Sequence, residues 1–157
     1  MKNWETWMSH ISTIAVTVSG FAYLWMKYFI ENNDPFSVVN HPWQPAMLNL
    51  HVLIAPVLVF VTGMIAYAHI QKKLKSRVRT NRLTGIVSMA TLPIMIVSGY
   101  GLQVVTAALL GQIVLILHIG SSSVFAVTYV VHLVNSLREK RSVAVQDAQA
   151  FTRRQTA

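Results

Sequence analysis

Four long runs of apolar residues follow one another along the chain, and shorter polar stretches separate them. The runs cover residues 8–30, 46–70, 83–105 and 107–137. As a helix rising about 1.5 Å per residue, each run is long enough to cross the roughly 30 Å hydrocarbon core of a bilayer. The pattern predicts an all-α protein, an integral membrane four-helix bundle.

The composition agrees with this prediction. Of the 157 residues, 54% are apolar and 11% are charged, whereas charged residues make up about 25% of an ordinary soluble domain. We therefore expect membrane lipid to surround the helices.

The predicted organisation is a transmembrane domain of residues 1–142, which carries the candidate site, and a polar C-terminal tail of residues 143–157. We expect the tail to be poorly ordered.

The distribution of charge predicts the orientation in the membrane. Of the thirteen Lys and Arg residues, twelve are Lys2 or lie within 72–82 and 138–154, whereas the loop 31–45 is slightly acidic. Basic residues accumulate on the cytoplasmic side of membrane proteins. We therefore expect both termini and the basic loop to be cytoplasmic, in a multi-pass protein of a bacterial inner membrane. This topology explains the net charge of +8 without a nucleic-acid partner.

The absence of cysteine limits the chemistry that the chain can support. It excludes iron–sulfur clusters bound by thiolates and the covalent attachment of heme through a Cys-x-x-Cys-His motif. Any metal or heme must therefore be held by other side chains.

Histidines are the main candidates for such ligands, because ionisable residues deep in a membrane are usually functional. For any one histidine alone, a hydrogen bond between helices or an interfacial position is the better explanation, but the spacing of two of them favours a shared function. His118 and His132 are 14 residues apart, which on a helix means about 40° of rotation and about 21 Å of rise. Two hemes stacked across the membrane would suit this spacing. Five of the six histidines lie within or at the ends of apolar runs: His10, His51, His69, His118 and His132.

Depth in the membrane predicts a partner for each of these two histidines. His118 lies 20 residues from Arg138 and His51 lies 21 residues from Lys72, so both are about 30 Å from the basic side. They form the predicted outer pair. The inner partner of His132 is either His10 or His69.

The choice of the inner ligand rests on spacing along the second run. His69 is 18 residues from His51, against 14 between His118 and His132, which leaves a mismatch of about 6 Å of rise. His10 is therefore the preferred ligand. His69 remains the main alternative, because its spacing from His51 is close to five whole turns and places both on the same helix face.

This pattern resembles a known family, the gamma or cytochrome b subunits of respiratory formate dehydrogenases and membrane-bound nickel–iron hydrogenases. In that family one ligand comes from helix one, one from helix two, and two from helix four at the same spacing as His118 and His132. The resemblance covers residues 7–137. It implies two heme b groups and a subunit that carries electrons between a periplasmic redox partner and the quinone pool. The matching ligands are His10, His51, His118 and His132.

The resemblance also implies partners. Quinone, either menaquinone or ubiquinone, would react near the inner heme, where His69, Asn135 and Ser9 are candidate residues. For Ser9 and Asn135, the role of an interfacial polar side chain is the preferred explanation. A periplasmic redox subunit or a c-type cytochrome would exchange electrons on the outer side, within a multi-subunit, quinone-linked oxidoreductase complex. The chain departs from the family in its compactness, which bears on the identity of this partner. The alternative function is a cofactor-free membrane anchor subunit of a periplasmic redox complex.

Glycines inside the apolar runs would let a flat macrocycle or a neighbouring helix approach closely, and helix packing explains them equally well. These glycines are Gly20, Gly63, Gly99, Gly101 and Gly120.

No internal repeat is evident along the chain.

Overall fold

The computed structural model describes residues 3–32, 34, 36–75 and 82–155, and the side chains in these ranges except those of residues 3, 67–75, 82 and 147. These residues form four helices and no strand, so the predicted all-α class is confirmed. The helices are α1 (Asn3–Tyr28), α2 (Gln44–Lys75), α3 (Arg82–Val104) and α4 (Ala108–Gln155).

The chain forms two compact units, Met1–Arg77 and Val78–Ala157. The first is a hairpin of α1 and α2, and the second is a hairpin of α3 and α4. In the first hairpin, the side-chain amide of Asn40 donates a 2.8 Å hydrogen bond to the carbonyl oxygen of Lys27. This bond satisfies one of the carbonyl groups that the end of α1 leaves without a helical partner.

Three of the described helices are long and apolar enough to cross a membrane. They contain the candidate spans Gln44–Ala66, Leu83–Val104 and Ala108–Gln155, and they indicate a multi-pass membrane protein. Helix α1 is not among them, because serine, threonine and aromatic residues interrupt its apolar run. Its crossing of the membrane and the cytoplasmic position of both termini stay predictions. The side chains of the basic loop 72–82 lie outside the described residues.

Helix α4 continues well beyond its apolar part. It runs without interruption for 48 residues to Gln155, so residues 143–155 are helical where the sequence predicted a poorly ordered tail. The segment after Gly120 contains neither glycine nor proline and includes good helix formers such as Ala144 and Ala148. These residues let the helix continue into a polar segment.

Small polar side chains and a few apolar ones are buried within the two hairpins, and many large apolar side chains are exposed. Ser19 and Ser98 are 2% and 5% exposed, whereas Val97 and Ile116 are 73% and 70% exposed. Small residues at helix contacts and apolar residues on the outside are typical of membrane helices. The hydroxyl groups of the buried serines donate to carbonyl oxygens of their own helices, as seen at Ser12, Ser19, Ser98 and Ser121.

Candidate functional site

His51 projects from α2 and its ring packs against α1. Its Nδ1 atom lies 2.9 Å from the carbonyl oxygen of Val16 and 3.3 Å from Oγ of Ser19. A carbonyl oxygen can only accept a hydrogen bond, so Nδ1 carries the proton and the lone pair of the neutral ring is on Nε2. This is the tautomer that a metal-binding histidine adopts when its other nitrogen is held by a carbonyl group.

Gly20 makes room for this ring on the surface of α1. A Cβ atom at residue 20 would lie 2.8 Å from Cε1 and 3.0 Å from Nδ1 of His51. The neighbouring Ser19 hydroxyl donates to the carbonyl oxygen of Ala15 at 2.7 Å, which leaves its oxygen able to accept from the ring. Ser19, Gly20 and the Val16 carbonyl group together form a docking notch for the imidazole.

The second hairpin contains the same arrangement. Nδ1 of His118 on α4 lies 3.0 Å from the carbonyl oxygen of Met95 and 3.3 Å from Oγ of Ser98. The Ser98 hydroxyl donates to Ile94 at 2.6 Å, and a Cβ atom at Gly99 would lie 3.0 Å from Cε1 of His118. His118 is therefore also held as the Nδ1–H tautomer, in a second docking notch.

The two notches share a tripeptide in sequence as well as their geometry. Val-Ser-Gly occurs at residues 18–20 and again at residues 97–99. The buried residues Leu58 and Phe125 follow their histidines, His51 and His118, by the same seven positions. The two hairpins therefore share a local repeat of this histidine-docking arrangement, which the sequence analysis did not identify. The Val-Ser-Gly tripeptide was the sequence signal that could have revealed it.

His132 is held on α3 by a different partner. Its Nδ1 atom lies 3.1 Å from Oγ1 of Thr84. A Cβ atom at Gly85 would lie 3.6 Å from Cε1 of His132, which is an ordinary contact distance. When α2 is aligned with α4 so that His51 matches His118, the residue that matches His132 is Ile65. The repeat thus supplies a matched pair at His51 and His118 and no second pair.

The structure confirms that His118 and His132 share one face of α4, because both rings contact α3. Each predicted pair of heme ligands joins residues of different units, so these pairs stay predictions. The first unit contains Ser9, His10 and His51, and the second contains His118, His132 and Asn135. His69 belongs to α2, but its side chain lies outside the described residues.

The glycines in the apolar runs have different surroundings. Added Cβ atoms at Gly20 and Gly99 would crowd a histidine, and one at Gly101 would lie 3.1 Å from Val114. Added Cβ atoms at Gly63 and Gly120 would have no described atom within 4 Å beyond their own stretch of helix. The lack of a side chain therefore lets a neighbouring side chain approach closely at Gly20, Gly99 and Gly101.

Comparisons with known proteins give no relative for this chain. It matches no protein-family model, no curated protein and no solved structure. Among the side chains that the structure describes, no group of three or more His, Cys, Asp or Glu residues could hold a metal ion. Any functional assignment therefore rests on the geometry of the individual histidines.

We expect the Thr84→Val variant to be less stable than the native protein. Valine keeps the shape of threonine but removes the hydroxyl that contacts His132, and such a hydrogen bond contributes about 0.5–1.5 kcal/mol. Thermal unfolding in detergent, followed by circular dichroism, measures the loss. Thr91→Val is the matched control, because the Thr91 hydroxyl donates to carbonyl groups of its own helix. An equal loss of stability in both variants would contradict a specific contribution from the contact with His132.

Proposed function

We propose that this chain is a diheme b-type cytochrome subunit that carries electrons across a membrane between a periplasmic redox partner and the quinone pool. The observation that carries the proposal is the duplicated docking of His51 and His118. Each imidazole donates through Nδ1 to a backbone carbonyl oxygen of the neighbouring helix. Each therefore has its ligating lone pair on Nε2.

The donor chemistry fits the axial ligands of a heme. A b-type heme with two axial histidines needs two neutral imidazoles, and an internal repeat supplies equivalent residues from its two copies. His51 and His118 are such equivalents, which supports their assignment to one heme, the outer one. His132 and His10 would hold the inner heme, with His69 as the alternative to His10. In α2, the residue that matches His132 is Ile65, which cannot ligate a heme. This agrees with a second ligand of the inner heme that comes from another position, His10 or His69.

The protein would mainly contribute ligand orientation and an apolar environment. A bound heme supplies reversible one-electron chemistry. The Val16 and Met95 carbonyl groups hold the imidazoles in one tautomer and orientation, so that ligation needs no proton rearrangement at Nδ1. On α4, the rise from His118 to His132 is about 21 Å, which separates the two ligand positions along one helix face.

The partners follow from this assignment. Menaquinone or ubiquinone would react near the inner heme, and Ser9, His69 and Asn135 remain candidates for handling its protons. A periplasmic redox subunit or c-type cytochrome would exchange electrons with the outer heme. The chain would act within a multi-subunit complex in a bacterial inner membrane, and the three apolar helices support the membrane setting.

The proposal is tested on the full chain purified in detergent. A pyridine hemochrome assay and a reduced-minus-oxidised spectrum are expected to give two heme b groups per chain. A chain that contains no heme when it is produced with sufficient heme supply would overturn the proposal and favour the cofactor-free anchor. One heme per chain would contradict the two-heme assignment.

A further inference from the structure

We propose that Ser19 and Ser98 are matched positioning residues: each holds the imidazole docked beside it, His51 or His118, and lowers the midpoint potential of the heme that this imidazole would ligate. The inference rests on the proposed function and goes beyond it. It assigns a role to residues that are not ligands, and that both act on the same heme follows from the ligand assignment of the proposed function.

The hydrogen bonds of each serine fix the direction of its hydroxyl group. Ser19 Oγ lies 2.7 Å from the carbonyl oxygen of Ala15, and Ser98 Oγ lies 2.6 Å from that of Ile94. Because these carbonyl groups can only accept, the hydroxyl protons point along the serines' own helices. The serine oxygens, each 3.3 Å from Nδ1 of a histidine, are therefore acceptors for the imidazole N–H groups.

An acceptor at Nδ1–H changes the electronic character of the ring. It increases the basicity of the ligating nitrogen, which stabilises the oxidised form of a bound iron relative to the reduced form. Each imidazole has two such acceptors, a carbonyl group and a serine hydroxyl. Removal of the serine acceptor should raise the midpoint potential, because part of this stabilisation of the oxidised form is lost.

The two notches should contribute equally. Ser19 and Ser98 are both buried, at 2% and 5% exposure. The serine–histidine distances are identical, and the carbonyl–histidine distances of 2.9 Å and 3.0 Å are nearly so. We therefore expect the two serines to have effects of the same sign and similar size.

The experiment is a redox titration of the detergent-purified native protein and of the Ser19→Ala, Ser98→Ala and double variants. Each single variant should raise the midpoint potential of the same one of the two heme transitions by a similar amount. The double variant should show about the sum of the two shifts, because substitutions at separate, independent sites add. The other transition should not move.

Ser12→Ala and Ser121→Ala are the matched controls. Both serines are buried and donate to a carbonyl oxygen four residues earlier on the same helix, at 2.8 Å and 2.7 Å. Among the described residues, the contacts of their hydroxyl groups are with backbone carbonyl groups of their own helices. Equal shifts in the control variants would show a general structural effect and would overturn the positioning role.

The remaining outcomes separate this inference from the proposed function. Unchanged potentials in a protein that retains both hemes would overturn the inference and leave the proposed function intact. Shifts of different transitions by Ser19→Ala and Ser98→Ala would overturn the statement that both serines act on one heme.

If the native chain binds no heme, the proposed function fails and so does the effect on potential. The positioning contacts themselves are then tested by ¹⁵N solid-state NMR of the histidine side chains, with His51→Ala and His118→Ala used to assign the signals. Nδ1–H tautomers at both residues, with a ¹⁵N shift in the matching serine variant, would support the contacts. Nε2–H tautomers would overturn them.

Discussion

Gly20→Ala is expected to abolish binding of the proposed outer heme while the chain still folds. The new Cβ atom would lie 2.8 Å from Cε1 of His51, so the ring must leave its position. Only a side chain is displaced, at a cost of about 0.5–1.5 kcal/mol for the lost hydrogen bond to Val16. Alanine in place of a helical glycine gains about 1 kcal/mol, so overall stability should change little.

The other glycines provide a graded series for the same measurement. A Cβ atom at Gly99 would lie 3.0 Å from the ring of His118, and one at Gly85 would lie 3.6 Å from the ring of His132. We expect Gly99→Ala to weaken or abolish binding of the outer heme and Gly85→Ala to be tolerated. The heme content per chain and the thermal midpoint of each purified variant check the series.

Gly63→Ala and Gly120→Ala are the controls for this series, one in each hairpin. In the part of the chain that the structure describes, added Cβ atoms at these positions would meet nothing within 4 Å beyond their own stretch of helix, so both variants should retain two hemes. Full heme content in Gly20→Ala would show that the docked position of His51 is not needed for ligation. Equal losses in the control variants would attribute the effect to helix packing in general.

The second large effect is expected from removal of the histidines, singly and in pairs. His118→Ala and His132→Ala should each lose one heme, and together they should lose both. His51→Ala combined with His118→Ala should lose only one, because we assign both residues to the same iron. Loss of both hemes in this last double variant, in a folded chain, would contradict that pairing.

The same approach decides the inner ligand. We expect His10→Ala to lose the inner heme and His69→Ala to retain both hemes, and the opposite result would make His69 the ligand. His41→Ala is the control, because Nδ1 of this loop residue accepts a hydrogen bond from the backbone N–H of Trp43. Hemochrome assays on purified variants, with circular dichroism to confirm folding, give the answer.

Much of the fold follows from the order of apolar and polar residues. Apolar runs of this length predict helices of the kind found as α2, α3 and the first part of α4. The first helix was also predicted, although its serines and aromatic residues make it less apolar than the others. The helical form of residues 143–155 was missed, because a polar segment at a chain end is typical of a disordered tail, whereas its alanine and glutamine residues favour a helix.

By itself, the sequence determined which histidines are candidate ligands and which face of α4 two of them share, because helix periodicity converts the spacing of His118 and His132 into a direction. Only the tertiary structure decided how each ring is held. The partner of an imidazole on one helix is a carbonyl oxygen or hydroxyl on another, and contacts between helices leave no periodic trace in either segment. The repeated Val-Ser-Gly is visible in the sequence, but only the structure places each of its glycines beneath a histidine ring.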